Sequence, residues 1–229
     1  MNKRTRVILA ASLILGVALG VVVGRQTLST QPSSTPTTLV APPSSTTQPR
    51  SAIWPFASTV TRFGSPVLAA QAFATAYLGI VNPIMGAYQQ GVSRSGEVQV
   101  RATQHGVVTS ILVQELTSTH SWWVLGASCP DIIVTAPASS ERIASPVEFK
   151  GRSTAYEAVV NVEIRQDGTL NPMVSGTVMG GSMGVMGPFL KSMTFLSPSS
   201  SRGSLLLRTL SAKDGHVLEA TVIRVDFLK

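Results

Sequence analysis

The chain has 229 residues, room for one large or two small domains, and its single cysteine excludes an intrachain disulfide. Its formal charge of +7 raises nucleic-acid binding, but Lys3, Arg4, Arg6, Arg25 and Arg50 all precede residue 51. Beyond them 13 basic side chains face 11 acidic ones, with no basic run interleaved with aromatics, so no nucleic-acid partner is expected.

Met1–Gln26 reads as an N-terminal transmembrane anchor or signal segment. Lys3, Arg4 and Arg6 precede an uncharged stretch of 18 residues, Val7 to Gly24. At 1.5 Å per residue that covers about 27 Å, enough for a bilayer core, whereas a signal-peptide apolar region is shorter. Ala18-Leu19-Gly20 nonetheless offers a cleavage pattern, so both fates stay open. The basic cluster keeps the N-terminus cytoplasmic and sends the remainder across the membrane. Residues 27–52 read as a disordered linker. Between Ser29 and Pro49, 11 of 21 residues are Ser or Thr and five are Pro, without one charge, so little apolar surface offsets chain entropy.

Residues 53–130 read as a small α+β domain. Ser65-Pro66 is a helix start. Ala69, Phe73, Ala76, Tyr77 and Ile80 follow at helical spacing, and Gly79 with Asn82-Pro83 closes the helix. A long loop is expected over Val81–Gly96, then three strands, Glu97–Ala102, Val107–Leu116 and Trp122–Ala127. A helix lying on that three-stranded meander would bury both apolar faces. Within it, Trp122 and Trp123 must point to opposite faces of one strand. One belongs to a core, and the other to an interdomain junction or an exposed platform for a sugar or partner. Cys129 is either a small buried hydrophobe or free for an intermolecular bond.

Residues 131–229 carry seven short strand runs: Asp131–Thr135, Pro146–Gly151, Glu157–Arg165, Val174–Val178, Pro188–Leu196, Ser204–Ser211 and Leu218–Leu228. In the third, Ala158, Val160, Val162 and Ile164 alternate with Asn161, Glu163 and Arg165. In the last, Ile223, Val225 and Phe227 alternate with Arg224 and Asp226. The period of two predicts one apolar face and one polar face in water. Asp167-Gly168 and Asp214-Gly215 supply tight turns. Two antiparallel sheets packed face to face follow, and this part, with the larger core, is expected to fold without its neighbour. Met179, Met183 and Met186, set among four glycines, form either a mobile adaptable contact loop or a connection whose methionines fold back onto the sandwich.

Ile132–Pro137, Ile143–Val147, Gly151–Ser153, Tyr156–Ala158, Gly187–Phe189 and Ser211–Gly215 occur in that order. The arrangement resembles the immunoglobulin-like domain associated with bacterial spore germination, over roughly residues 131–229. The resemblance implies an extracytoplasmic, non-enzymatic module and supplies no catalytic residues.

The expected fold class is therefore mainly β: a C-terminal immunoglobulin-like β-sandwich preceded by a small α+β unit, a disordered linker and an N-terminal transmembrane helix. His105, His120 and His216 lie far apart, no nucleophile elbow occurs, and Glu157 and Glu163 share one strand. No catalytic residue, metal or cofactor is expected. The candidate partner-binding residues are Trp122, Trp123, Met179, Met183 and Met186. The function expected is a membrane-anchored, extracytoplasmic binding module engaging a cell-envelope protein or wall polymer. A structural accessory of an envelope assembly is the alternative, and a wall-polymer hydrolase a third.

Overall fold

The computed structural model describes residues 49–228, so the expected membrane segment and most of the linker lie outside the described residues. No helix among the described residues is long and apolar enough to cross a membrane. Pro49–Ala52, which composition assigns to the linker, is packed on the body: Ala52 is fully buried and Arg50 pairs with Asp226 at 2.9 Å.

Pro66 opens a helix, α1 (Pro66–Ala72), which widens into a π-helical turn (Phe73–Leu78). Gly79, at φ 83°, ends it in the left-handed conformation that glycine adopts without strain. The π turn shifts the buried face from the one expected. Ala69, Phe73 and Tyr77 are buried as read, but Ala76 is exposed, while Ala70, Ala74 and Leu78 turn inward.

The expected loop over Val81–Gly96 is instead a hairpin, with β1 (Ile84–Gln90) antiparallel to β2 (Ser95–Arg101). β1 is an edge strand with a register shift between Met85 and Tyr88, and such a shift breaks the period of two that would have revealed it. With β3 (Thr109–Leu116) and β4 (Ser121–Ser128) the meander has four strands, not three.

The rest is β5 (Ile132–Ala136), β6 (Glu141–Ile143), β7 (Val147–Ala155), β8 (Val159–Gln166), β9 (Val174–Met179), β10 (Gly181–Ser182), β11 (Gly187–Met193), β12 (Arg202–Leu210) and β13 (Val217–Phe227). The seven runs read from alternation all appear, and the short β6 and β10 are additions. They make a mainly β structure of two packed sheets with one short helix. The larger sheet has the order β1-β2-β3-β4-β13-β12-β8-β9, with β6 beside β13. The smaller has β7 between β5 and β11, with β10 also paired to β7.

β4 and β13 pair at Ala127 and Val222, so the meander and the sandwich share one sheet. Its two faces serve two cores, as the run Leu205-Leu206-Leu207 shows. Leu205 and Leu207 join Val160, Val162, Ile164 and Val225 against Phe149 and Phe189 of the smaller sheet. Leu206, Ala220 and Val222 point the other way, into the core under Phe73, Tyr77 and Leu78.

That second core corrects the polar faces of β8 and β13, which alternation puts in water. Glu163, Arg165, Arg224 and Asp226 are all buried. Glu163 bridges Arg165 (2.6 Å) and Arg208. Arg165 donates to the Tyr77 carbonyl (2.8 Å) and Arg208 to that of Leu78 (3.1 Å), so two guanidiniums satisfy carbonyls at the end of the helix. Arg224 holds Asp167 through two bonds, at 2.6 and 2.5 Å. These polar residues alternate correctly but lie beneath other elements.

Candidate functional site

At one end of the sandwich the turns between strands line a cleft of about 710 Å³. That lies within the size range of small-molecule and side-chain pockets. Its walls come from the β2–β3 loop (His105, Gly106, Val107), the β4–β5 link (Pro130, Asp131) and the end of β7 through Tyr156. The β10–β11 turn (Met183, Gly184, Met186) and the β12–β13 turn (Leu210 to Lys213) complete it.

Each wall is fixed by hydrogen bonds. In the β10–β11 turn, Gly184 N–H donates to Thr154 Oγ1 (3.0 Å), Met183 N–H to the Ala155 carbonyl (3.3 Å) and Val185 N–H to that of Ser182 (2.9 Å). Gly181 and Gly187 meet backbone to backbone here: a Cβ on Gly181 would fall 1.8 Å from the Val185 carbonyl oxygen. These glycines serve close approach. The β12–β13 turn closes through Ser211 N–H to the His216 carbonyl and Gly215 N–H to that of Ser211, both at 2.8 Å. Asp214, exposed in that turn, has its carboxyl held below the usual range, first by the Ser211 side chain and then by the His216 backbone N–H.

The floor is set by β13. Its sandwich-facing residues run Phe227, Val225, Ile223, Thr221, Glu219, so the inward series changes from apolar to polar toward the cleft. Thr221 Oγ1 donates to the Ile132 carbonyl (2.8 Å) and accepts the Cys129 N–H (3.2 Å). Glu219 Oε1 accepts the Thr209 hydroxyl (3.0 Å), while Oε2 is buried with no hydrogen-bond partner among the described residues. Burial first, and the neighbouring Asp131 carboxylate next among the raising effects, push the Glu219 carboxyl above its usual range. The nearby Cys129 thiol and Thr209 hydroxyl offset part of this. The thiol, itself in contact with Thr221 Oγ1 at 3.4 Å, is a weak donor. Burial also pushes Cys129 well up, so it stays protonated and unreactive.

Of the residues singled out from sequence, the structure brings Met183 and Met186 to the cleft. Met183 is 73% exposed and Met186 half-buried. Met179 is exposed at the end of β9 and does not line the cleft. The tryptophans lie elsewhere. Trp122 is half-buried against Tyr88 (ring centroids 5.2 Å) on the helix side of the sheet. Trp123 is fully buried, with the Arg62 guanidinium stacked on it at 5.0 Å and its Nε1 donating to Ser121 Oγ (3.3 Å). It offers no surface to a partner. Glu219, Asp131 and Tyr156 escaped sequence reasoning as site residues. Glu219 carried a signal, because it falls in the apolar phase of β13, where a carboxylate is out of place.

No curated protein and no solved structure matches the chain. The sandwich does match a known family: residues 131–216, from β5 to the turn before β13, match the immunoglobulin-like domain of bacterial spore germination.

Proposed function

We propose that the chain is a membrane-anchored, extracytoplasmic, non-catalytic binding module that engages a cell-envelope protein or wall polymer through the cleft and its apolar rim. The observation that carries this reading is the placement of the cleft. Near the first described residue, the Arg50 guanidinium pairs with Asp226 and its carbonyl accepts a bond from Arg202 (2.7 Å). Arg202 and Asp226 sit at one end of β12 and β13, and the cleft residues Leu210 and Glu219 at the other. Nine residues of β12 at about 3.3 Å each separate the two ends by roughly 26 Å. The cleft therefore lies at the end of the sheet away from Arg50, and its apolar rim is open to a partner. There Tyr156, Met183 and Val185 are each about two-thirds or more exposed, the adaptable apolar surface that recognition sites use. The match to an immunoglobulin-like family supports a binding role.

Affinity capture from native envelopes with the full chain, followed by the same capture with Met183→Glu and Tyr156→Ala, tests the reading. The partner recovered by the wild-type chain should fall by about tenfold with each variant, the effect of losing one anchor contact worth ~1.4 kcal/mol. Undiminished capture by both variants at unchanged melting temperature would place the binding surface elsewhere.

A further inference from the structure

We infer that the cleft receives a primary ammonium group on an aliphatic stem, such as a lysine side chain of the partner presents, with Glu219 as its counter-charge. The inference rests on the binding reading above and names the chemistry of what enters the site.

Three features of the floor point to a cation. Glu219 is only 3% exposed, and apart from the weak Cys129 thiol its Oε2 has no donor among the described residues. A buried carboxylate oxygen left unpaired is costly, and a charged donor repays most. Asp131 also lines the cleft, and its charge adds to that of Glu219. Neither carboxylate enters an ion pair among the described residues, although eight such pairs occur there. The basic side chains near the cleft, Lys213, His105 and Arg152, which donates to the Met186 carbonyl (3.2 Å), form no ion pair with either carboxylate.

The geometry favours an ammonium over a guanidinium. Oε1 already accepts the Thr209 hydroxyl, so Oε2 is the oxygen in need of a charged donor. A guanidinium fork matches two acceptors, whereas an ammonium is a point charge that one oxygen can meet. The stem is provided for as well: Val107, Leu218 and Met186 are half-buried in the walls between rim and floor. A four-carbon stem buried along such walls, with its charge at the tip, is how lysine divides its apolar and polar parts.

The test uses the full chain in lipid nanodiscs with methyl-¹³C methionine. The probes are Nα-acetyl-lysine N-methylamide, Nα-acetyl-norleucine N-methylamide, which keeps the four-carbon stem without the ammonium, and N-acetylglucosamine. The lysine probe should shift the Met183 and Met186 methyl signals and leave that of Met193, buried in the sandwich core, in place. Its dissociation constant should be at least about tenfold below that of the norleucine probe, and Glu219→Gln should remove that advantage. Equal affinity for lysine and norleucine probes overturns the inference, as does the absence of any shift with the lysine probe. Stronger binding of the sugar would assign the cleft to a saccharide and also overturn it. The wild-type comparison stands even if the variant folds poorly. If partner capture still depends on Met183 and Tyr156 while the two amide probes bind alike, the ammonium fails and the binding reading survives.

Discussion

At the scale of single residues, Glu219 is where stability and binding conflict. Its carboxyl is held above the usual range chiefly by burial, so between the unfolded value, about 4.3, and the higher folded value the folded chain binds more protons than the unfolded one. Stability then falls as pH rises through that window, and the full penalty stands above it. Glu219→Gln cannot titrate and escapes the penalty. The variant should melt above the wild type on the alkaline side, with the gap shrinking as pH falls toward about 4. Thermal melts of both proteins across pH check this, and a gap independent of pH would refute the assignment. A variant more stable but poorer in ammonium binding would show destabilisation retained for recognition. Glu219 was legible in part: the alternation of β13 gives its phase, but nothing local to it says that the sandwich opens at that point. The place of Met183 and Met186 in a turn outside the sandwich core was legible through the glycine-rich composition. That one of Trp122 and Trp123 is core was legible, but which one was not, because the cover of Trp123, Arg62, comes from a segment without periodicity.

At the scale of elements, strand existence was readable except for β1 and the short β6 and β10, and strand environment was not. β8 and β13 alternate as a half-buried strand should, yet the face read as solvated is covered by the end of the helix and by Arg50. The partners that bury it are distant in sequence: Arg208 reaches the Leu78 carbonyl across 130 positions. Glu163 holds Arg165 and Arg208 together, and burial lowers the Arg208 pKa despite the attraction of Glu163. Removing that carboxylate leaves two guanidiniums under a helix end without their counter-charge. Glu163→Gln should therefore cost about 3 kcal/mol, the scale for breaking a buried ion pair. The matching change at Glu148, whose bond to Lys150 (2.7 Å) is half-exposed on both sides, should cost less than about 1 kcal/mol. Urea unfolding of the two variants distinguishes them, and equal costs would mean that the buried network contributes no more than a surface pair. β1 was missed for a different reason, since a bulged edge strand presents no clean period to read.

At the scale of the whole molecule, the shared sheet changes what counts as a folding unit. Core size argues that residues 131–229 fold alone, and the family match covers most of that span. Yet β12 and β13 are buried on both faces, and one of those faces belongs to the helix and the meander. Cutting at residue 131 would expose Leu206, Val217, Ala220 and Val222 together and take β4 from the edge of β13. It would also strip Arg165 and Arg208 of the helix carbonyls they cap, and Ser204 of the Tyr77 hydroxyl at 2.5 Å. Four aliphatic side chains returned to water, at about 25 cal/mol per Å² of apolar surface, represent several kcal/mol, a large share of a typical domain's stability. The residues removed cannot compensate by themselves, because the meander loses the same surface. Residues 131–229 expressed alone should therefore show no cooperative melt and should bind a hydrophobic dye. The fragment 49–229 should unfold in one transition, with circular dichroism and tryptophan fluorescence coincident. Trp122 and Trp123 make the fluorescence report on the meander, so coincidence means that both parts unfold together. A sharp transition from isolated 131–229, near the temperature of the longer fragment, would show that the sandwich core suffices and that the second face of the sheet is covered without being needed.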